Sequence, residues 1–212
     1  MQFSPGTPCF RHFSVIFPSF NHATFVGEAV RSVFDQTFND FELIVVDDGS
    51  SDETADIIAS IRDPRLTLIH LSENRAVHAR NLALSRARGQ YVAFQNSDDI
   101  WVPAKLAAQL EVMEGANRYI ACFTAAEIVD ASGRSTSGTW ANGIFTTVNR
   151  SAANWLRHFF DAGNCLPLPS AIARRSEVIE LGAFRPSFVQ LGDLDLWIRL
   201  AALGNFLFSP HH

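Results

Sequence analysis

The sequence predicts an α/β fold, a mixed, mostly parallel central sheet with helices on both faces. Three observations predict it. Short apolar runs alternate with segments of helical spacing, and that rhythm is the mark of a layered α/β chain. The runs are apolar almost throughout, as in Phe41-Glu42-Leu43-Ile44-Val45-Val46, which suits strands covered on both faces. Three of them end in polar clusters: Ser19-Phe20-Asn21, Asp47-Asp48-Gly49-Ser50 and Asn96-Ser97-Asp98-Asp99. Right-handed crossovers carry the C-terminal ends of parallel strands to one edge, where ligands of such sheets bind. The three clusters are therefore expected on one rim.

Phe13 to Phe17 is a strand that ends at Pro18. Thr24 to Phe34 has Phe25, Val26, Ala29, Val30 and Val33 at helical spacing. Phe41 to Val46 is the second strand, and Asp52 can cap a helix through Ile61. Leu66 to Leu71 is a third strand, and Ala76 to Arg88 is a helix stopped by Gly89. Tyr91 to Phe94 is a fourth strand, and a helix from Pro103 to Met113 begins on a proline, which lacks only an N–H that the first turn leaves free. The rhythm then loosens. Tyr119 to Ala125 reads as a strand, Asp130 to Gly138 as a loop, and Ser151 to Phe160 as a helix. Leu168 to Ala173 reads as a strand, and Asp193 to Leu203 as a helix closed by Gly204. A further strand starts at Phe206-Leu207-Phe208 just before the sequence stops, which reads as a truncated C-terminus. The expected organisation is an N-terminal arm over residues 1–12 and one domain over 13–212. Within that domain, residues 13–115 form a ligand-binding half and 116–212 a half facing the second substrate.

Composition narrows the function classes. The 212 residues include 17 Lys+Arg and 22 Asp+Glu, a formal net charge of -5, which argues against bulk nucleic-acid binding. At 47% hydrophobic and 18% charged residues, the chain can bury one sizeable core. No apolar run approaches the ~20 residues of a membrane span, so no transmembrane segment is expected, with peripheral membrane association left open. Residues 1–18 carry Pro5 and Pro8 and no continuous apolar stretch, unlike a secretory signal. The three cysteines, Cys9, Cys122 and Cys165, have no CxxC spacing, which favours reduced thiols and a cytoplasmic location.

The chemistry-bearing residues each have a bland alternative. Asp47-Asp48 at a strand tip can accept hydrogen bonds from a base or a ribose, or can form an Asx-turn. Asp98 suits a hard divalent cation on a diphosphate, whereas Asp99 suits a cap on the following helix. Asp193 and Asp195, two apart, point to different sides of their helix, so one can face a cleft as a general base. Acidic residues are also favoured in any first helical turn. Arg80 can reach a phosphate or stay solvated, and His158 beside Phe159 reads as a packing histidine. There is no GxSxG, HExxH or P-loop, and no GxGxxG after the first strand, which disfavours a dinucleotide dehydrogenase.

Together these segments resemble family 2 glycosyltransferases with the GT-A fold. The resemblance rests on Val15-Ile16-Phe17-Pro18-Ser19-Phe20-Asn21, Ser32-Val33-Phe34-Asp35-Gln36-Thr37 and the stretch from Phe41 to Asp52. It continues through Asn74, Ala79-Arg80-Asn81-Leu82-Ala83, Gly89-Gln90-Tyr91-Val92-Ala93-Phe94, Ser97-Asp98-Asp99 and Pro103 to Gly192-Asp193-Leu194-Asp195-Leu196-Trp197. It implies an inverting transfer of a sugar from a nucleotide-sugar, a UDP-sugar, to a saccharide or other hydroxyl acceptor. Its implied donor site is Pro18 and Phe20 against the base, Asn21 beside them, Asp48 on the base, Arg80 near the diphosphate, and Asn96 with Asp98. Asp98 would hold Mn²⁺ or Mg²⁺, and Asp193 would be the catalytic base. Asn96 stands where the family's metal motif has its first Asp, and Gly192 where a Glu usually precedes the base. The competing reading is a non-catalytic nucleotide-sugar-binding or scaffold domain.

Overall fold

A computed structural model describes residues 12–115, 119–136, 145 and 147–209. Apart from His12, the expected N-terminal arm lies outside the described residues. The chain runs β1 (Phe13–Ser19), α1 (Ala23–Phe34), β2 (Phe41–Asp47), α2 (Thr54–Ser60), β3 (Leu66–His70), α3 (Val77–Arg86), β4 (Tyr91–Phe94) and α4 (Lys105–Gly115). It continues with β5 (Tyr119–Thr124), α5 (Ala152–Ala162), β6 (Ile172–Arg174), α6 (Arg175–Glu180), α7 (Gly192–Leu203) and β7 (Asn205–Ser209).

The described strands form one sheet in the order β3-β2-β1-β4-β6-β5-β7. β1 pairs in parallel with β2 and β4, β2 with β3, and β5 with β7; β6 is antiparallel to both its neighbours. The mixed, mostly parallel sheet is thus as expected. Side chains alternate across it. Phe13, Val15 and Phe17 of β1 pack with Val26, Val30 and Val33 of α1 and with Leu106 and Met113 of α4. Ile16 of β1, Ile44 of β2 and Phe94 of β4 face α3, α5 and α7 through Ala83, Trp155 and Trp197. No helix among the described residues is long and apolar enough to cross a membrane.

Two elements differ from expectation. The strand expected over Leu168–Ala173 is a 3₁₀ turn at Leu168–Ser170 followed by the three-residue β6. Pro167 precedes that turn and Pro169 lies within it, and proline has no N–H for a sheet ladder. The six-residue α6 was not anticipated, being too short to show a period.

At the edge where the parallel strands begin, the buried Glu42 gathers a network. It accepts from Ser14 Oγ at 2.7 Å and from the Arg88 backbone N–H at 2.8 Å, and it pairs with Arg88 Nη2 at 2.7 Å. Burial pushes its pKa up, but the bonds from Arg88 and Ser14 outweigh this and hold it below the usual carboxylate value. Gly89 closes the network by donating to Ser14 Oγ at 2.8 Å. A Cβ on Gly89 would fall 2.5 Å from Ser14 N and 2.6 Å from Phe13 C, inside backbone atoms that cannot give way.

Lys105, only 3% exposed, opens α4. Its Nζ donates to Gln109 Oε1 at 2.7 Å and lies 4.3 Å from the centre of the Trp101 ring. Burial drives the amine down to about 7, with Cys122 opposing weakly. A lowered folded-state pKa means the unfolded chain binds the extra proton between about 7 and the free-lysine value near 10.5. Stability must therefore rise with pH across that window.

Both features can be tested by substitution. Gly89→Ala should lose about 2–3 kcal/mol in urea unfolding, as expected for overpacking against backbone. Lys105→Met should remove the pH dependence. Its stability relative to wild type should be highest near pH 7 and shrink towards pH 10, read as paired melting curves; parallel curves would show that the amine does not titrate there.

Candidate active site

The tips of β1 and β2 are stitched together. Asp48 N–H donates to Ser19 O at 2.8 Å, continuing the β1–β2 pairing into the loops. Asn21, at φ 51°, donates its N–H to Ser50 Oγ at 3.0 Å and accepts Ser51 N–H on Oδ1 at 2.8 Å. Asn21 is thereby the clasp between the two loops. Asp47 is committed to its turn: it accepts Ser50 N–H at 3.2 Å and lies 2.8 Å from His70 Nδ1. Asp48 faces the other way. Its two oxygens accept the N–H groups of Arg75, at 2.8 Å, and Ala76, at 2.7 Å, just before α3. Ala76 has φ 45° and ψ −100°, a conformation that residues with a Cβ seldom adopt, and this clamp holds it there. Pro18 precedes this corner, and Phe20 stands on it, 39% exposed.

One helical turn beyond Ala76, Arg80 enters a cleft of about 800 Å³. Asn96, Asp98 and Asp99 from the end of β4, Asn164 and Pro167–Ser170 ahead of β6, and Gly192 and Asp193 of α7 also line it. The structure thus gathers Arg80, Asn96, Asp98 and Asp193 in one concavity. Pro18, Phe20, Asn21 and Asp48 form a neighbouring corner outside its lining. His22 links the two, its Nδ1 lying 2.8 Å from Ser97 Oγ.

Arg80 is half-buried, not solvated. Its guanidinium lies 5.4 Å from the centre of the Phe184 ring, and its Nε is buried without a hydrogen-bond partner among the described residues. Burial lowers its pKa and nearby Asp193 partly opposes that. Phe184 is itself held by Asn81, whose Nδ2 donates to Phe184 O at 2.7 Å and whose Oδ1 accepts Phe184 N–H at 3.0 Å.

Asp99 does not cap α4, which begins six residues later at Lys105. Its carboxyl accepts Asn96 Nδ2 at 2.9 Å, and its carbonyl accepts Gln95 Nε2 at 2.7 Å. Burial raises the Asp99 pKa, the Asn96 amide lowers it, Asp98 raises it and His22 lowers it, leaving it above the usual value. Asn96 therefore has a job that Asp could not do, since a carboxylate there would face Asp99 at hydrogen-bond distance. Asp98 is exposed and its carboxylate has no protein partner among the described residues.

The two carboxylates of α7 divide as the helix geometry requires. Asp195 turns away and is bound by Arg199 at 2.6 Å, with Arg185 at 3.4 Å. Asp193 faces the cleft and accepts Asn164 Nδ2 at 2.9 Å. Asn164, His22 and Lys105 are site neighbours that sequence reasoning missed. Asn164 lies 29 residues from Asp193, and only its Asx-turn setting before Leu166 and Pro167 was visible. For Lys105, the i,i+4 spacing to Gln109 was the available signal. His158 is the packing histidine expected, 5.9 Å from Trp155 between ring centres and 3.2 Å from Cys165 Sγ.

Comparison with known proteins gives the chain's family and fold. A family model described as glycosyl transferase family 2 matches residues 14–172. The putative teichuronic acid biosynthesis glycosyltransferase TuaG of Bacillus subtilis is 48% identical over 103 residues, 47% of this chain and 41% of TuaG. WfaP of Escherichia coli, named as a UDP-Glc:alpha-D-GlcNAc-diphosphoundecaprenol beta-1,3-glucosyltransferase, is 40% identical over 102 residues, covering 48% of this chain and 41% of WfaP. The chain thus spans about two fifths of the length of these relatives. Among solved structures, Staphylococcus aureus TarS 1–349 in complex with UDP superposes with a TM-score of 0.77 at 21% identity, over 94% of this chain and 58% of that one. The mannosyltransferase PcManGT of Pyrobaculum calidifontis, in complex with GDP-Man and Mn²⁺, gives 0.70 at 22% identity, over 95% of this chain and 55% of that one. These likenesses show the fold, GT-A, and the family match over residues 14–172 shows the lineage: the chain belongs to glycosyl transferase family 2.

Proposed function

We propose that this chain transfers a sugar from a UDP-sugar to an acceptor hydroxyl, with inversion at the anomeric carbon and with Mn²⁺ or Mg²⁺ on the donor diphosphate. The observation that carries the reading is the convergence of Arg80, Asp98 and Asp193, from three separate elements, on one cleft. The donor's chemistry is supported by the corner beside it, where Phe20 is 39% exposed and Asp48, though buried, keeps carboxylate lone pairs beyond those used by Arg75 and Ala76. TarS in complex with UDP-GlcNAc has the same fold, at a TM-score of 0.78, and WfaP is named for a UDP-Glc donor.

The residues present suit a cation that arrives with its substrate. Among the described residues no group of three or more His, Cys, Asp or Glu could cage a metal. Asp98 offers a carboxylate without a protein partner among the described residues, and Mg²⁺-type ions are commonly held by one or two carboxylates plus substrate phosphates. Bound on Asp98, such an ion would neutralise charge developing on the departing nucleoside diphosphate.

The chain's own groups then divide the work. Arg80 offers a fixed positive charge in a partly dry site, where it acts more strongly than in water. Asp193 accepts the proton of the acceptor hydroxyl while that oxygen forms its bond to the anomeric carbon. The bond from that carbon to the diphosphate oxygen breaks, and the electron pair leaves with the nucleotide. Attack from the face opposite the leaving group inverts the centre.

UDP with Mn²⁺ should raise the melting temperature more than either alone, because a ligand bound only by the folded state stabilises it. Asp98→Ala should abolish the Mn²⁺ contribution and leave the ligand-free melting temperature unchanged. No shift with any nucleoside diphosphate at millimolar concentration would sink the donor reading. Asp193→Asn should keep UDP affinity and cut transfer by ~10²-fold or more, the range for losing a general base. Asp195→Asn should instead cost about 1.5–3 kcal/mol of stability by weakening its bonds to Arg199. Transfer from a panel of nucleotide-sugars decides the point; a dead Asp195→Asn beside a near-normal Asp193→Asn would reverse the assignment.

A further inference from the structure

We propose that Asn164 is a positioning residue for Asp193, acting from a cleft wall clasped to the helix that carries that carboxylate. The inference rests on reading Asp193 as the base.

The wall is the segment from Asn164 to Ser170, and other elements pin it at several points. Asn164 Oδ1 accepts Leu166 N–H at 3.0 Å, which fixes which end of the amide is which. Its Nδ2 is thereby turned to Asp193 Oδ2, 2.9 Å away. Two residues along, Leu166 O accepts the indole N–H of Trp197 at 3.1 Å. Trp197 lies one turn after Asp193 on α7, is fully buried, and meets Phe123 edge-on at 4.8 Å between ring centres. Asn164–Asp193 and Leu166–Trp197 are therefore two rungs of one clasp between the wall and the first turns of α7. Further on, Pro169 O accepts Trp101 Nε1 at 2.9 Å and Ser170 O accepts Gln109 Nε2 at 2.9 Å. The wall cannot swing without breaking bonds to buried side chains, and an unpaired buried polar group is costly.

The consequence for Asp193 is geometric. Its Oδ1 accepts the N–H of Leu194 at 2.8 Å and its Oδ2 accepts Asn164, so both oxygens are oriented. The Asn164 side chain also lines the cleft, so the donor it supplies stands beside the place where an acceptor hydroxyl must lie. A base that must meet a hydroxyl at hydrogen-bond distance gains from such fixing, since small misplacement costs large factors in rate.

Asn164→Asp isolates the donor, because it keeps the shape and the oxygen that accepts Leu166 N–H while setting an acceptor against Asp193. UDP release from UDP-glucose and UDP-N-acetylglucosamine with Mn²⁺ is measured across pH for wild type, Asn164→Asp, Asn164→Ala and Asp193→Asn, with UDP affinity by calorimetry. Both Asn164 variants should lower kcat by ~10–100-fold with donor KM and UDP affinity within about twofold of wild type. In Asn164→Asp the acid limb of the kcat profile should also move to higher pH, because two adjacent carboxylates favour protonation of one. A residue 164 that stood away from the titrating base would not move that limb. If Asn164→Ala fails to fold, Asn164→Asp carries the test. A kcat within about twofold of wild type, or an unmoved acid limb in Asn164→Asp, overturns the positioning role while a dead Asp193→Asn leaves the base reading standing. An Asp193→Asn variant as active as wild type overturns the base reading and this proposal with it.

Discussion

Backbone amides that leave the sheet still need acceptors, and the two just ahead of α3 find theirs in a carboxylate at the tip of another strand. Asp48 accepts the N–H groups of Arg75 and Ala76 and holds Ala76 at φ 45°. The rest of the rim depends on this clamp. It fixes where α3 starts, and so where Arg80 stands one turn later. It also fixes the tip of β2 against β1, since the Asp48 backbone N–H is bonded to Ser19 O. Release of that carboxylate would free the α3 approach, loosen the corner carrying Phe20, and let Arg80 drift from the cleft it shares with Asp193.

A second constraint operates across the cleft. α7 offers two carboxylates, and the protein has to commit one to structure so that the other can stay open. Arg199 takes Asp195, and it also donates to Leu181 O at 2.9 Å and Ala183 O at 2.7 Å. The same guanidinium therefore braces the turn leading to Phe184, whose ring lies under Arg80. Asp195, Arg199, Phe184 and Arg80 form a relay of contacts from the back of α7 to the cationic side of the cleft. Removing Asp195 should thus be felt at Arg80 as well as in α7.

What the residues disclosed in advance, and what they hid, has a physical pattern. The apolar runs of β1, β2 and β4 declared themselves because both faces of a parallel strand are buried. The polar clusters behind them could be placed on one rim from topology alone. The split between Asp193 and Asp195 followed from helix geometry. The direction of β6 was hidden because a three-residue strand preceded by prolines has no readable pattern. Asn164 and His22 were hidden because their partners lie 29 and 75 residues away, and no local periodicity reports such a pairing. Asn96 stands, by resemblance, at an acidic position of the metal motif. Its amide in fact serves Asp99, and only the orientation of a side chain could disclose that.

The reversed direction of β6 has a bearing on how this scaffold can diversify. A parallel strand reaches the ligand edge with its last residue, so the loop on its C-terminal side is all it can offer there. An antiparallel strand begins at that edge and offers the loop on its N-terminal side. β6 therefore delivers the Asn164–Ser170 wall to the cleft on its way in and departs through α6 at the opposite edge. Chain length gained or lost upstream of β6 is felt by whatever the cleft holds, while change around α6 is insulated from it by the full width of the sheet. One inverted strand thus gives a largely parallel domain a separate, independently variable margin of the cleft, without disturbing the tips of the parallel strands.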